Sequence, residues 1–411
     1  MRYGSSLARQ LILAAAVFLF VGRVMLIPCT VAVVSGKATA DGRPLLWKNR
    51  DTNTIPNKLV YVQGEKYAFI GLVDAWDKNV MSIWSGINSA GFAIMNSASG
   101  DLADGETGMM NNGTFMRLAI GTCASVEDFE RLLQETAGKR RVGSNFGVID
   151  AHGRACFFET GADFYVKFDA DDPRVAPRGY IVRTNYAFTS SQKNGGGGYI
   201  RFDRISHLFQ AADAEGRLNV SFILKEAARD LVNEKLHSYP LSHPGTKDTT
   251  FSLYINTNDT INRNTSVAVS VFHGAPSPDK AYLSTMWVLL GQPVCTAAVP
   301  VWVHAEAVPE ICGGEGESPL NILARDVAAY LYPDRRSHMA QYLNVTRLVN
   351  YKGSGILPYL LDVENKVLKE TGSKLESWAK MRPDSEEVRA FQEKTAGFVY
   401  DRLCEFFLDI K

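Results

Sequence analysis

The first 300 residues alternate between short apolar, β-branched runs and turn clusters, whereas the last hundred follow a helical period. Thr30–Ser35 (TVAVVS) and Pro44–Trp47 predict two extended stretches, and Asp41-Gly42 between them is a hairpin signal. Ser82–Ser97 (SIWSGINSAGFAIMNS) predicts two strands joined at Asn88-Ser89-Ala90-Gly91, with Asn96 at the far end. Ser125–Gly138 predicts a helix: Ser125 can cap it, Asp128 follows three residues on, and Val126, Phe129, Leu132 and Leu133 have helical spacing. Asn145–Glu159 predicts a hairpin turning at Ala151–Gly153, and Gly179–Thr184 a strand that delivers Asn185. The run Asn194–Gly198 predicts a mobile loop, without the strand-to-helix setting of a phosphate cradle. A helix over about Ser221–Glu234 and strands over Phe251–Ile255 and Ser266–Val271 follow. From Pro319 the pattern is helical to the end, with Pro358 and Pro383 as breaks, and no internal repeat is visible.

The first hairpin matters because it brings Asn49-Arg50-Asp51 back toward Cys29. A two-residue loop puts Arg50 on the sheet face of Cys29, whereas a three-residue loop ending in Gly42 slips the register and puts Asp51 there. Either way a charged group lies within about 10 Å of the cysteine.

What precedes Cys29 predicts export. Met1–Gln10 carries Arg2 and Arg9 and no acid, and Leu11–Gly22 is 12 uninterrupted apolar or small residues ended by Arg23. A membrane-spanning helix needs roughly 20 such residues, so the pattern predicts a signal peptide or pro-segment over residues 1–28 and a periplasmic or secreted protein. A short N-terminal anchor is the alternative. Val24-Met25-Leu26-Ile27-Pro28 departs from the small-x-small cleavage pattern. A cut before Cys29 would put a free α-amine, of pKa about 8, on the same residue as the thiol, where it could take the thiol proton.

Composition narrows the partners. Forty-four basic residues balance 44 acidic ones, so the basic excess that nucleic acid or an anionic membrane demands is missing. The expected partner is a small-molecule amide, and a homo-oligomer stays open. The six cysteines lie far apart with no CxxC, and the seven histidines form no HExxH, so no metal or other cofactor is expected. A single disulfide stays open if the chain is exported.

In order along the chain, Cys29-Thr30, Asp41-Gly42, Leu46-Trp47-Lys48-Asn49-Arg50-Asp51, Gly86-Ile87-Asn88, Gly91-Phe92, Asn145-Phe146, Asp150, Gly153, Glu159, Arg183-Thr184-Asn185 and Arg201-Phe202-Asp203-Arg204 resemble the N-terminal-nucleophile (Ntn) cysteine hydrolases. The likeness is to the group of isopenicillin N acyltransferase, penicillin V acylase and conjugated bile acid hydrolase. Thr285-Met286-Trp287 and Gly291-Gln292-Pro293 are similar to a late strand of the acyltransferase branch. The resemblance implies an α+β fold, a four-layer αββα sandwich over residues 29–310 with a helical C-terminal addition over 311–411.

It also implies roles. Cys29 would be the nucleophile and its α-amine the base, with Asp51 holding and polarising that amine. Asn185 would donate to the oxyanion and Asn96 would be a second donor, each with a turn residue as the bland alternative. Arg201 would support the thiolate or the amine network, with Arg204 a rival for that role, and Arg50 joins the candidate set from the hairpin register. One position departs from the hydrolase pattern: Lys48 stands three residues before Asp51, where those enzymes carry arginine, and lysine lacks arginine's planar fork. The implied activity is cleavage of a linear carbon–nitrogen amide through a thioester. Transfer of the acyl group to an amine is the alternative, although the neutral charge gives no hint of a coenzyme A pocket. A lipid-anchored binding protein acylated at Cys29 and a histidine-assisted protease using an internal cysteine are the readings from other classes.

Overall fold

The computed structural model describes residues 28–102, 108, 110–191, 196–236, 252–332, 339–349 and 355–410. The expected signal segment up to Ile27 lies outside the described residues, as do Asn194 and Gly195 of the glycine run. Among the described residues no helix is long and apolar enough to cross a membrane.

Extended apolar runs build two antiparallel sheets. The chain opens with β1 (Thr30–Val34), β2 (Leu45–Asp51), β3 (Asn57–Val62), β4 (Phe69–Asp74), β5 (Ser85–Asn88) and β6 (Ala93–Ala98). Helices α1 (Asn112–Thr122) and α2 (Val126–Glu135) follow, then β7 (Ser144–Ile149), β8 (Ala155–Thr160), β9 (Tyr165–Asp169) and β10 (Tyr180–Arg183). Helix α3 (Tyr199–Ala214) leads to β11 (Tyr254–Asn256), β12 (Ser266–His273), β13 (Thr285–Leu290) and β14 (Val299–Val301). The chain closes with α4 (Pro319–Leu331), β15 (Tyr342–Asn344), α5 (Ile356–Lys380) and α6 (Ser385–Ile410). One sheet has the order β10-β1-β2-β12-β13-β14, the other runs β3 to β9 in sequence, and β11 pairs with β15.

The two large sheets lie face to face. At Gly147 of β7 they approach so closely that a Cβ would fall 2.8 Å from Val33 and 2.9 Å from Leu46 of the opposite sheet. Outside the seven-stranded sheet, Phe92, Phe115, Phe129, Phe146 and Phe158 form a buried cluster that seats α1 and α2. Ser125 caps α2 by accepting from the Asp128 N–H, and Asp128 accepts from the Ala124 N–H, so the orphan donors at that end are satisfied as the sequence predicts. Outside the six-stranded sheet, Trp47 stacks on Phe209 of α3 at 6.0 Å. Helix, sheet, sheet, helix is the αββα order.

The C-terminal helices share one apolar cluster with that second sheet: Leu320, Val327, Leu360, Val367, Val399 and Leu403 belong with Val271, Val288 and Val299. Buried Arg229 and Glu364 fasten α5 to the sheet's edge. Arg229 makes paired bonds of 2.7 and 2.9 Å to Glu364 and donates to the carbonyls of Leu224, Pro293 and Thr296, while Glu364 also accepts from the Ala298 N–H.

Several local expectations need correction. Between β1 and β2 the chain makes a longer connection containing a 3₁₀ turn, Gly36–Ala38, rather than a tight hairpin at Asp41-Gly42. Val31 pairs with Lys48 and Thr30 with Asn49, a register that continues to Cys29 opposite Arg50. The region expected as a helix over Ser221–Glu234 forms only two short helical turns, Val220–Phe222 and Ile223–Ala227. Pro358 breaks nothing, because it sits in the first turn of α5, where a helix has no N–H partner to lose. Pro383 does separate α5 from α6. β15 interrupts the helical pattern expected after Pro319.

Candidate active site

Cys29 immediately precedes β1, the second strand of the six-stranded sheet, between the edge strand β10 and β2, and is 6% exposed. Its main chain is gripped from both sides. The Cys29 N–H donates to Asn185 Oδ1 at 2.7 Å, and its carbonyl accepts from Arg201 Nη1 at 2.6 Å. Arg201 also donates to Thr30 Oγ1 at 2.8 Å and to Asn185 Oδ1 at 2.8 Å, so one guanidinium ties together β1, the end of β10 and α3.

Each member is delivered by an identifiable element. β10 pairs with β1 through Val31↔Arg183, which brings Asn185 alongside Cys29. Arg183 anchors that strand end: it bonds Glu159 at 3.2 Å and stacks its guanidinium 3.6 Å from the Phe188 ring centroid, while Glu159 accepts from the N–H groups of Phe188 and Thr189. Asn185 Nδ2 donates to the Ala98 carbonyl at 2.8 Å and to Ser97 Oγ at 3.1 Å, tying it to β6 of the other sheet. Arg201 comes from the first turn of α3, capped by Gly198 at φ +83°. A Cβ there would fall 2.3 Å from the Arg201 guanidinium, so glycine is required both by the backbone and by the side chain it accommodates.

Asp51 ends β2 and is wholly buried. Its Oδ1 accepts from Ser266 Oγ at 2.6 Å, whereas Oδ2 has no hydrogen-bond partner among the described residues. Burial pushes its carboxyl up to about 6, against the pull of Arg263, Arg201, the Ser266 hydroxyl and Lys48. The register that puts Arg50 opposite Cys29 carries Asp51 one residue further, toward the Pro28–Cys29 peptide.

The remaining candidates divide. Of the two rival arginines, Arg201 faces Cys29, while Arg204 forms a two-pronged pair with Asp230 at 3.0 and 2.7 Å. Arg50 shares the inter-sheet face with Cys29, but its guanidinium is held by Asp74 at 2.7 Å and by Asn57, over the Trp84 ring. Asn96, expected as an oxyanion donor, has its amide engaged: Oδ1 accepts from Lys48 Nζ at 2.7 Å and Nδ2 donates to Ser144 Oγ at 3.3 Å. Burial lowers Lys48 to about 8. Of the other five cysteines four are buried, and there is no disulfide among the described residues. No group of acidic, histidine or cysteine side chains suited to a metal occurs among the described residues.

Sequence reading missed Ser97, Thr30 and Ser266, which hold Asn185, Arg201 and Asp51. Ser266 carried a usable signal, as the first residue of a predicted strand; Ser97 and Thr30 carried none.

Two facing antiparallel sheets between helical layers, with a cysteine heading an interior strand, define the class of N-terminal-nucleophile hydrolases and acyltransferases. Over residues 38–266, more than half of its length, the sequence matches the family of acyl-coenzyme A:6-aminopenicillanic acid acyl-transferase, and the chain belongs to that family. The match begins beyond Cys29. No curated protein matches the chain. Among solved structures the chain is similar to conjugated bile acid hydrolase from Clostridium perfringens, at 13% identity and a TM-score of 0.40 over 64% of this chain and 89% of that one. It is similar to the N-acylethanolamine-hydrolyzing acid amidase ortholog of Caenorhabditis elegans, at 13% identity and 0.38 over 64% and 100%. Penicillin V acylase from Agrobacterium tumefaciens follows, at 11% identity and 0.35 over 67% and 86%.

Proposed function

We propose that the protein is an exported amidase that matures by loss of residues 1–28 and cleaves a linear, non-peptide amide through a thioester on Cys29. The observation that carries this reading is the two-sided grip on the Cys29 main chain, 2.7 Å from Asn185 and 2.6 Å from Arg201, which a merely structural cysteine does not need. The partnerless Asp51 Oδ2 supports it, because a newly freed α-ammonium is the kind of group a buried carboxylate oxygen lacks.

In the first half-reaction the Cys29 sulfur bonds to the substrate's acyl carbon, and the thiol proton passes to the Cys29 α-amine. That proton is then given to the departing nitrogen as the carbon–nitrogen bond breaks. In the second half-reaction water gives a proton to the same amine and its oxygen to the acyl carbon, and the sulfur leaves with the acid released. In this reading the Asn185 amide would offer an Nδ2–H to the oxyanion in place of its bond to Ser97 or Ala98.

Water is the acceptor in this reading, although family membership equally supports transfer to an amine. A thioester reacts faster with a well-oriented amine than with water, so the acceptor depends on whether the protein binds one. The test supplies an amide substrate together with a millimolar panel of amines. Free acid as the main product is expected; predominant formation of a new amide would reassign the protein as an acyltransferase.

A further inference from the structure

The face that helix α5 turns toward the six-stranded sheet is incompletely apolar. Leu368, Thr371, Gly372 and Leu375 recur at helical spacing and line a cavity of about 240 Å³ against that sheet. Two of these four positions carry no apolar bulk. Glycine inside a helix is destabilising relative to alanine, and close packing does not demand it here: nothing lies within 4 Å of where a Cβ on Gly372 would sit.

The opposite wall comes from Leu45, Val220 and Trp287. Val271 pairs with both Trp47 and Trp287, so Trp287 shares the helix-covered face of Trp47, whereas Cys29 belongs to the inter-sheet face. Leu45 also stands at the far end of β2 from Arg50, about 17 Å along the strand. The cavity is therefore separate from the Cys29 site. Trp287 and α5 both follow residue 266, where the family match ends.

Trp287 is 3% exposed and Thr371 wholly buried, yet neither Trp287 Nε1 nor Thr371 Oγ1 has a hydrogen-bond partner among the described residues. A buried polar group left unpaired is costly. The indole N–H can only donate, so it lacks an acceptor, and the Thr371 hydroxyl can take either role. At the mouth, half-exposed Asp41 is paired with His273 Nε2 at 2.7 Å. Against the upward push of burial, the hydrogen bond and charge of His273 hold the Asp41 carboxyl at about 2, so an anion is disfavoured there. An apolar cavity of about 150 Å³ accommodates benzene. A volume of about 240 Å³ accommodates a ring with a short substituent.

We propose that this cavity is a second small-molecule site, built by the C-terminal helices, for an uncharged and mostly apolar compound that presents a carbonyl oxygen to Trp287. Leu45, Val220, Leu368 and Leu375 pack the apolar body, and a bound compound ties α5 to β13. The site is independent of the chemistry at Cys29.

The probe is acetophenone, a ring bearing one carbonyl, titrated into the full chain while the indole N–H resonances are followed by two-dimensional NMR. The spectrum of Trp287→Phe identifies the Trp287 resonance by its loss. Acetophenone should shift that resonance saturably. Ethylbenzene, which lacks the oxygen, and benzoate, an anion of similar size, should each bind about tenfold more weakly. Acetophenone should also raise the melting temperature, and by less in Trp287→Phe. Gly372→Leu fills the cavity and should abolish both responses while keeping or raising the melting temperature of the free protein. Should Trp287→Phe fail to fold, Gly372→Leu carries the comparison. Absence of a saturable shift overturns the proposal, as does a response that survives in folded Gly372→Leu or benzoate binding as tightly as acetophenone. None of these readings involves amide cleavage, so they stand apart from the tests of Cys29.

Discussion

The Cys29 N–H lies 2.7 Å from Asn185 Oδ1, an oxygen that Arg201 also holds at 2.8 Å, and these two donors turn the Asn185 amide so that its Nδ2 points at Ser97 and Ala98. In the proposed maturation, cleavage of the Pro28–Cys29 bond would leave N–H donors on Cys29, and Arg201 Nη2 donates to the same oxygen at 2.8 Å, so the Asn185 amide would keep this orientation in the processed chain.

The proposed maturation predicts an active chain that begins at Cys29. Cys29→Ala should abolish amide cleavage and leave the thermal unfolding curve nearly unchanged. N-terminal sequencing of the active enzyme should read Cys-Thr-Val; a fully active enzyme that keeps its first 28 residues would sink the self-base mechanism.

Asn185→Ala should lower kcat by roughly a hundredfold or more, the usual loss for one oxyanion donor. Steady-state kinetics decide the matter. A rise in KM with kcat intact would make Asn185 a substrate-binding residue instead.

Asp51 gives a pH-dependent stability with a definite sign. Its folded carboxyl, at about 6, lies above the ordinary value of 3.8, so the folded state favours the protonated form. The stabilisation linked to it is complete below about pH 4 and is lost as the pH rises through 6. In a chain that retains Pro28, Asp51→Asn should therefore raise the melting temperature at pH 8 and change it little at pH 4. In the matured enzyme the same substitution should eliminate activity. A variant equally stabilised at both pH values would show that burial of the charge is not what raises this carboxyl.

Glu364→Ala should cost about 3–5 kcal/mol, because it strands the Arg229 guanidinium in the core. Replacing both partners with apolar residues, Arg229→Met with Glu364→Leu, should recover much of the loss. Urea unfolding of the three variants checks this; equal losses for the single and the double variant would mean that packing, not the stranded charge, dominates.

Much of the strand framework was legible because β-branched runs and glycine turns report local geometry. The Asn145–Glu159 and Ser82–Ser97 hairpins lie where their patterns place them. Helix α3 was not legible: its cap is Gly198, which makes no side-chain hydrogen bond, and buried Arg201 interrupts its apolar face. The choice between Arg201 and Arg204 was equally hidden, since it depends on Asp230 arriving from a distant turn to engage Arg204. The partner of the Asn96 amide oxygen was hidden for a related reason, since Lys48 lies on the other sheet and donates to it across the interface. The face shared by Cys29 and Arg50 depended on the length of the Ser35–Pro44 connection, which turn chemistry alone underestimates.

The Arg229–Glu364 pair has a consequence for biosynthesis. Cys29 is made among the first residues, yet the sheet it heads presents an apolar face that is covered by Leu360, Val367, Val399 and Leu403, among the last. At roughly 5–20 residues per second, tens of seconds of translation separate the strand from its cover. A chain that stops short of α5 would leave Arg229 without its carboxylate and the Ala298 N–H without its acceptor. The strand that Cys29 heads is thus kept from its finished setting until the ribosome has delivered nearly the whole message, and a truncated product would lack the support that strand requires.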